Sequence, residues 1–150
     1  MCISDINEDA LLFARINILK NGLQDRANVR RIDLQAGVRD TPDTASERFS
    51  VIAGSEILYL EQLHRPLITF LKCHLELPSS GAAAPEVLLT TDHRRNADAF
   101  FALAEKTFRV EHKTVGIKES AAPGIDTETH PDATRAERYL ISLHRLSPLR

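Results

Sequence analysis

Segments of strand character and segments of helical character take turns along most of this chain, and that alternation restricts the fold more than any other feature. Residues 1–4 form a short apolar run that reads as the tail of a strand, with Asp5 closing it. Asn7, Glu8 and Asp9 then supply a cap and first-turn acids, which suit the positive end of a helix dipole. Leu11, Ala14 and Ile18 recur with helical spacing, as do Leu12, Ile16 and Leu19, and Asn21-Gly22 is a stop signal. Residues 29–32 suggest a strand ended by Asp33, residues 35–48 a polar loop, and residues 49–53 a buried strand closed by Gly54. Pro66 fits a helix only in its first turn, so the next helix starts near Leu63, with Leu67, Phe70 and Leu71 on its apolar side. Small residues at 78–85 link it to a strand at 86–90, and a helix over 96–106 turns Phe100, Phe101, Leu103 and Ala104 inward. Residues 108–117 and 137–145 alternate apolar with polar and suit an antiparallel, long-looped pair. Between them, 119–135 is rich in Pro, Gly, Thr and acids and is expected to be a mobile loop.

Such alternation predicts an α/β fold, with a largely parallel sheet covered by helices on both faces. In sheets of this kind ligands sit beyond the carboxyl ends of the strands. The rule directs attention to Asp5, Asp33, the segment 54–59 and the segment 92–95, each of which follows a strand candidate. At 150 residues the chain is read as a single domain, and a formal net charge of −2 gives no electrostatic reason to expect nucleic acid or a membrane surface. Cys2 and Cys73 are too few for a disulfide framework and form no CxxC pair. No apolar run approaches the roughly 20 residues of a membrane span, and no leader pattern opens the sequence, so a cytoplasmic protein is expected.

Several of these residues carry two readings. Asp5 suits either a cap on the following helix or an acceptor for both hydroxyls of a ribose. Asp33 suits a turn first, since an acid after a strand is common, and the same binding role second. Glu56 and Tyr59 stand three apart directly after a strand, where a carboxylate and a phenol can meet at a pocket mouth, or where an acid starts a helix and a tyrosine packs. In the segment 92–95, His93 or Arg94 is a candidate for substrate contact, against a solvated helix-start cluster. The remaining histidines show no close ligand spacing, so no metal site is expected.

The run Asp5-Ile6-Asn7-Glu8-Asp9-Ala10-Leu11, continuing through Ala14-Arg15-Ile16-Asn17 to Asn21-Gly22-Leu23, resembles the second strand and following helix of class I S-adenosylmethionine-dependent methyltransferases. The segment from Phe49 to Tyr59 is similar to their fourth-strand motif. Glu56-Ile57-Leu58-Tyr59 resembles the acid-x-x-Tyr signature of the seven-β-strand protein-lysine methyltransferases. The resemblance spans nearly the whole chain. It implies a Rossmann-like fold, S-adenosyl-L-methionine as cofactor and a protein substrate. Asp5 with Ile6 would bind the ribose, and Asp33 with Leu34 would flank the adenine. Gly54 and Ser55 would line the methionine end, with Glu56 and Tyr59 at the substrate amine. An enzyme of this type mainly aligns a neutral amine with the methyl group, and an aromatic face favours a cationic sulfonium. Ser50 stands where the family strand usually has Asp, and Leu34 where an aromatic residue is often found.

The family's first strand and Gly-x-Gly loop would precede the segment that Asp5 closes. The six glycines here are all isolated, and none forms such a loop. The reading is therefore of a partial methyltransferase domain lacking that strand, a truncation, a fragment or one half of a split protein, expected to bind cofactor poorly alone. Strands left without their central neighbour present unpaired edges, through which the chain is expected to self-associate. A small-molecule methyltransferase on the same scaffold, or a degenerate interaction module, are the competing readings.

Overall fold

The computed structural model describes residues 1–36, 47–77, 81, 83–92, 97–117 and 139–149. The chain divides into two compact units, Met1–Glu47 and Arg48–Arg150.

The first unit is a strand–helix–strand turn: β1 (Cys2–Asp5), α1 (Glu8–Lys20) and β2 (Asn28–Arg31). β2 runs parallel to β1, with Cys2 opposite Asn28 and Asp5 opposite Arg31. The Asn7 side chain caps α1 by accepting from the Asp9 and Ala10 amides, and Glu8 and Asp9 occupy the first turn. At the other end Gly22 adopts φ 64°, which lets the Leu23 amide reach Ile18 O and its own amide reach Leu19 O. This is a Schellman closure, and the left-handed position explains the glycine. On α1, Leu11 and Ile18 are buried, whereas Leu12, Ile16 and Leu19 of the other stripe are exposed, as is Phe13. A chelated ion pair, Arg30 to Glu47 at 2.7 and 3.1 Å, joins β2 to the last residue of the unit.

The second unit is built on a four-stranded sheet. Its strands are β3 (Val51–Ser55), β4 (Glu86–Asp92), β5 (Phe108–Ile117) and β6 (Tyr139–Pro148), in the order β3-β4-β6-β5. β3 and β4 are parallel, and β6 runs antiparallel to both β4 and β5. A 3-10 turn (Glu61–Leu63) leads into α2 (His64–His74), where Pro66 takes a first-turn position as its missing N–H requires. α3 (Asp98–Ala104) is shorter than the segment 96–106 expected from its apolar residues. Among the described residues no side chain caps its start, and residues 105–107 leave it as a turn.

One face of the central strands is covered. Val87, Leu89 and Thr91 of β4 and His144 and Leu146 of β6 are buried there, under the helical layer that includes Phe100, Phe101 and Ala104. β3 corrects the expectation of a buried strand at 49–53. It pairs only with β4 among the described strands, and Val51, Ala53 and Ser55 are exposed while Ile52 and Gly54 turn inward. An edge strand covered on one face buries every second side chain. Phe49 lies just outside the strand, in an isolated bridge to Leu75. β1 and β3 belong to separate hydrogen-bonded sheets. The segment 119–135, and most of the polar segment 35–48, lie outside the described residues.

Candidate functional site

The carboxyl end of β3 is tied to that of β4 by three hydrogen bonds. The Thr90 hydroxyl donates to Ser55 Oγ at 2.9 Å, the Glu56 amide donates to Thr90 O at 3.0 Å, and the Asp92 amide donates to Glu56 Oε1 at 2.6 Å. Glu56 has φ 53°, a left-handed conformation that costs a residue with a Cβ free energy. The strained turn aims its carboxylate back at β4 instead of letting the chain run on. Glu56 thus clamps the strand ends, a task the sequence pattern did not show. Leu58 O accepts from His64 Nε2 at 2.9 Å, fixing the turn to α2. Tyr59 follows as an exposed ring, 58% accessible.

Gly54 has a packing reason for being glycine. A Cβ there would stand 2.6 Å from Ile57 Cδ1 and 3.2 Å from Leu89 Cδ2, so the room above it is filled by this chain's own side chains. Its φ is not in the left-handed region. Ser55, by contrast, is exposed at the strand end.

In the first unit, Asp5 Oδ1 accepts from the Asn7 amide at 2.9 Å and so shapes the turn before α1, while Asn7 provides the cap itself. Ile6 is exposed between them. Asp33 Oδ1 accepts from the Gln35 and Ala36 amides at 2.9 and 3.4 Å, a local Asx turn, with Leu34 half-buried inside it. The Cys2 thiol is pushed above its ordinary pKa, chiefly by burial; Arg30 opposes that shift and Glu47 adds to it. The structure brings Gly54, Ser55, Glu56 and Tyr59 together in one unit, and places Asp5, Ile6, Asp33 and Leu34 in the other. His93 and Arg94 lie outside the described residues.

A second constellation arises from strand register. His112 of β5 stands directly opposite His144 of β6, and their Nδ1 atoms are 2.7 Å apart. On its other side His144 Nε2 meets the Thr91 hydroxyl at 2.8 Å. Phe101 of α3 packs against both rings, with centroids 4.8 Å from His112 and 4.3 Å from His144. Burial first, and the neighbouring His112 second, hold the His144 pKa below the usual imidazole value. These groups, with Ala97, Asp98 and Ser142, line a cavity of about 300 Å³ that opens to solvent. In the sequence the two histidines are 32 residues apart, so spacing alone gave no sign of the pair. The signal available was the alternation in both strands, but without a register it selected no partners.

No protein-family model matches the chain, and no curated protein sequence matches it. Its fold, however, is shared with solved structures. The precorrin 8W decarboxylase of Methanobacterium thermoautotrophicum superposes with a TM-score of 0.60 at 15% identity, over 97% of this chain and 68% of that one. An O-methyltransferase from Bacillus cereus, solved in complex with SAH, gives 0.59 at 13% identity, over 97% of this chain and 61% of that one. A SAM-dependent O-methyltransferase from Thermotoga maritima gives 0.57 at 10% identity, over 99% and 50%. The chain therefore has the mixed α/β, Rossmann-like fold of class I methyltransferases, and it spans about half to two-thirds of the length of these structures.

Proposed function

We propose that this chain is a methyltransferase domain using S-adenosyl-L-methionine, which when bound supplies a methyl group activated on a sulfonium. The observation that carries the reading is the fold shared with methyltransferases along nearly the whole chain, one of them holding SAH. The residues suit such a cofactor chemically. Asp5 is an exposed carboxylate at the end of β1, able to accept from ribose hydroxyls, as is the half-buried Asp33 beyond β2. Glu56 and the exposed ring of Tyr59 suit a cationic centre or an amine.

For the acceptor, the acid-x-x-Tyr pattern of Glu56 and Tyr59 favours a protein lysine. The carboxylate is already engaged by the Asp92 amide, so its part is to hold the turn that presents Tyr59. A small-molecule acceptor is the second reading, favoured by the O-methyltransferases that share the fold. A non-catalytic module is a third: among the described strands β1 and β3 each pair along one edge only, and an added strand could occupy the other.

Calorimetric titration with S-adenosylmethionine and SAH tests the first step: saturable binding that weakens in Asp5→Ala supports it, and no binding by the folded chain counts against it. With labelled cofactor, methyl transfer to lysate protein that is lost in Tyr59→Phe supports a protein acceptor. Label appearing only in the small-molecule fraction supports the second reading. Concentration-dependent dimers with no cofactor binding support the third.

A further inference from the structure

We propose that His112 and His144 form a binding site for a borderline divalent metal ion, of which Zn²⁺ is the representative, at the floor of the cavity beside α3. The site is independent of methyl transfer and stands on three observations.

The first is convergence. Two imidazole Nδ1 atoms 2.7 Å apart face one another across a single hydrogen bond, close enough for both to turn toward one ligand. A metal there would require the nitrogens to separate to about 3.3 Å, given Zn–N bonds of about 2.0–2.1 Å in tetrahedral geometry. His112 is exposed and can swing by that amount, whereas His144 is 6% accessible and stays fixed.

The second is orientation from behind. Metal-ligating histidines typically engage their other ring nitrogen with a polar partner, which fixes tautomer and ring angle. Thr91, itself buried, does this for His144. When His144 Nε2 carries its proton toward Thr91 Oγ1, Nδ1 presents a lone pair to the cavity. Binding then needs the bridging proton to leave His112 Nδ1 while Nε2 takes one up from solvent, so each ring remains neutral and none is gained or lost overall. Phe101 packs against both rings, which stand at 82° to one another.

The third is access. The cavity of about 300 Å³ opens to solvent, and Asp98 and Ser142 line it. Among the described residues no group of three or more His, Cys, Asp or Glu side chains is arranged around a common metal position. The ion would therefore take two protein nitrogens, one fewer than an open zinc site usually has, and complete its shell with water. Imidazole donors select the zinc, copper and nickel class over magnesium or calcium.

The test is calorimetric titration of the full chain with zinc chloride in a non-coordinating buffer, alongside nitrogen NMR of the imidazoles. One equivalent should bind, with the largest shifts at Nδ1 of His112 and His144. His112→Gln removes an exposed ligand and leaves the core intact, so it is the variant of choice; binding at this site should be lost. Thr91→Val, with folding checked by circular dichroism, should weaken affinity about 10- to 100-fold. Absence of binding, unchanged affinity in His112→Gln, or shifts confined to other histidines would each overturn the proposal.

Discussion

Replacing Glu56 by alanine and by glycine separates two opposing contributions at the joined ends of β3 and β4. Alanine removes the carboxylate that accepts from the Asp92 amide at 2.6 Å but keeps a Cβ on a backbone at φ 53°. A hydrogen bond to a charged group contributes about 1.5–3 kcal/mol, so Glu56→Ala should destabilise the chain by about that much. Glycine loses the same hydrogen bond but relieves left-handed strain of about 1–2 kcal/mol. Its greater unfolded-state freedom returns about 0.5–1 kcal/mol of that gain. Glu56→Gly should therefore be the more stable of the two by about 0.5–1 kcal/mol, although it is the more drastic deletion. Urea unfolding followed by circular dichroism reads the difference. With a slope of about 2 kcal/mol/M, Glu56→Ala should lower the midpoint by roughly 1 M and Glu56→Gly by visibly less. Glu56→Gln, which keeps an acceptor oxygen without the charge, should fall between Glu56→Ala and the parent. If glycine proves worse than alanine, or if alanine leaves the midpoint unmoved, the clamp is not what holds this edge.

Other perturbations follow from the same geometry. Gly54→Ala should cost about 1–3 kcal/mol by overpacking, and Ile57→Val, which trims the Cδ1 that lies 2.6 Å from the added Cβ, should recover much of it in a double-mutant cycle. Leu71→Ala, at a fully buried position of α2, should lose about 2–5 kcal/mol in the same urea assay. Because the Cys2 thiol is held above its ordinary pKa, the native state keeps a proton that the unfolded chain releases first. Its stabilising effect is complete below the unfolded thiol pKa and is lost as pH rises through the folded value. In a Cys73→Ser background, iodoacetamide should accordingly label native Cys2 with a pH midpoint above that of the urea-unfolded chain; coincident midpoints would refute the shift.

How much of this was legible beforehand differs by residue. The cap at Asn7, the stop at Asn21-Gly22 and the late start forced by Pro66 are local rules, satisfied within a few residues, and the structure follows them. The burial of β3 is not legible, because a run of apolar and small residues does not say whether a strand lies inside a sheet or at its edge. The left-handed turn fell on Glu56, where propensity would favour a glycine; the carboxylate's bond to a strand 36 residues away provides the compensation, and no local pattern encodes it. For the same reason His112 and His144 met unseen. Their pairing depends on the register across β5 and β6, which the intervening segment leaves unspecified in sequence.

β6 is last of the strands in chain order and yet sits between β4 and β5 in the sheet. During synthesis, β4 and β5 are therefore made as non-neighbours, and each waits with an unsatisfied flank for a strand that arrives later. Thr91 and Leu89 cannot gain their cross-strand partners Ser142 and His144 until more than 50 residues have been closed into a loop. The step that completes the sheet is thus the slowest to nucleate and the one most open to interception by a foreign strand. Until then a chaperone or a second nascent chain would compete at β4, whereas the histidine pair needs only β5 and β6, which follow one another in the chain.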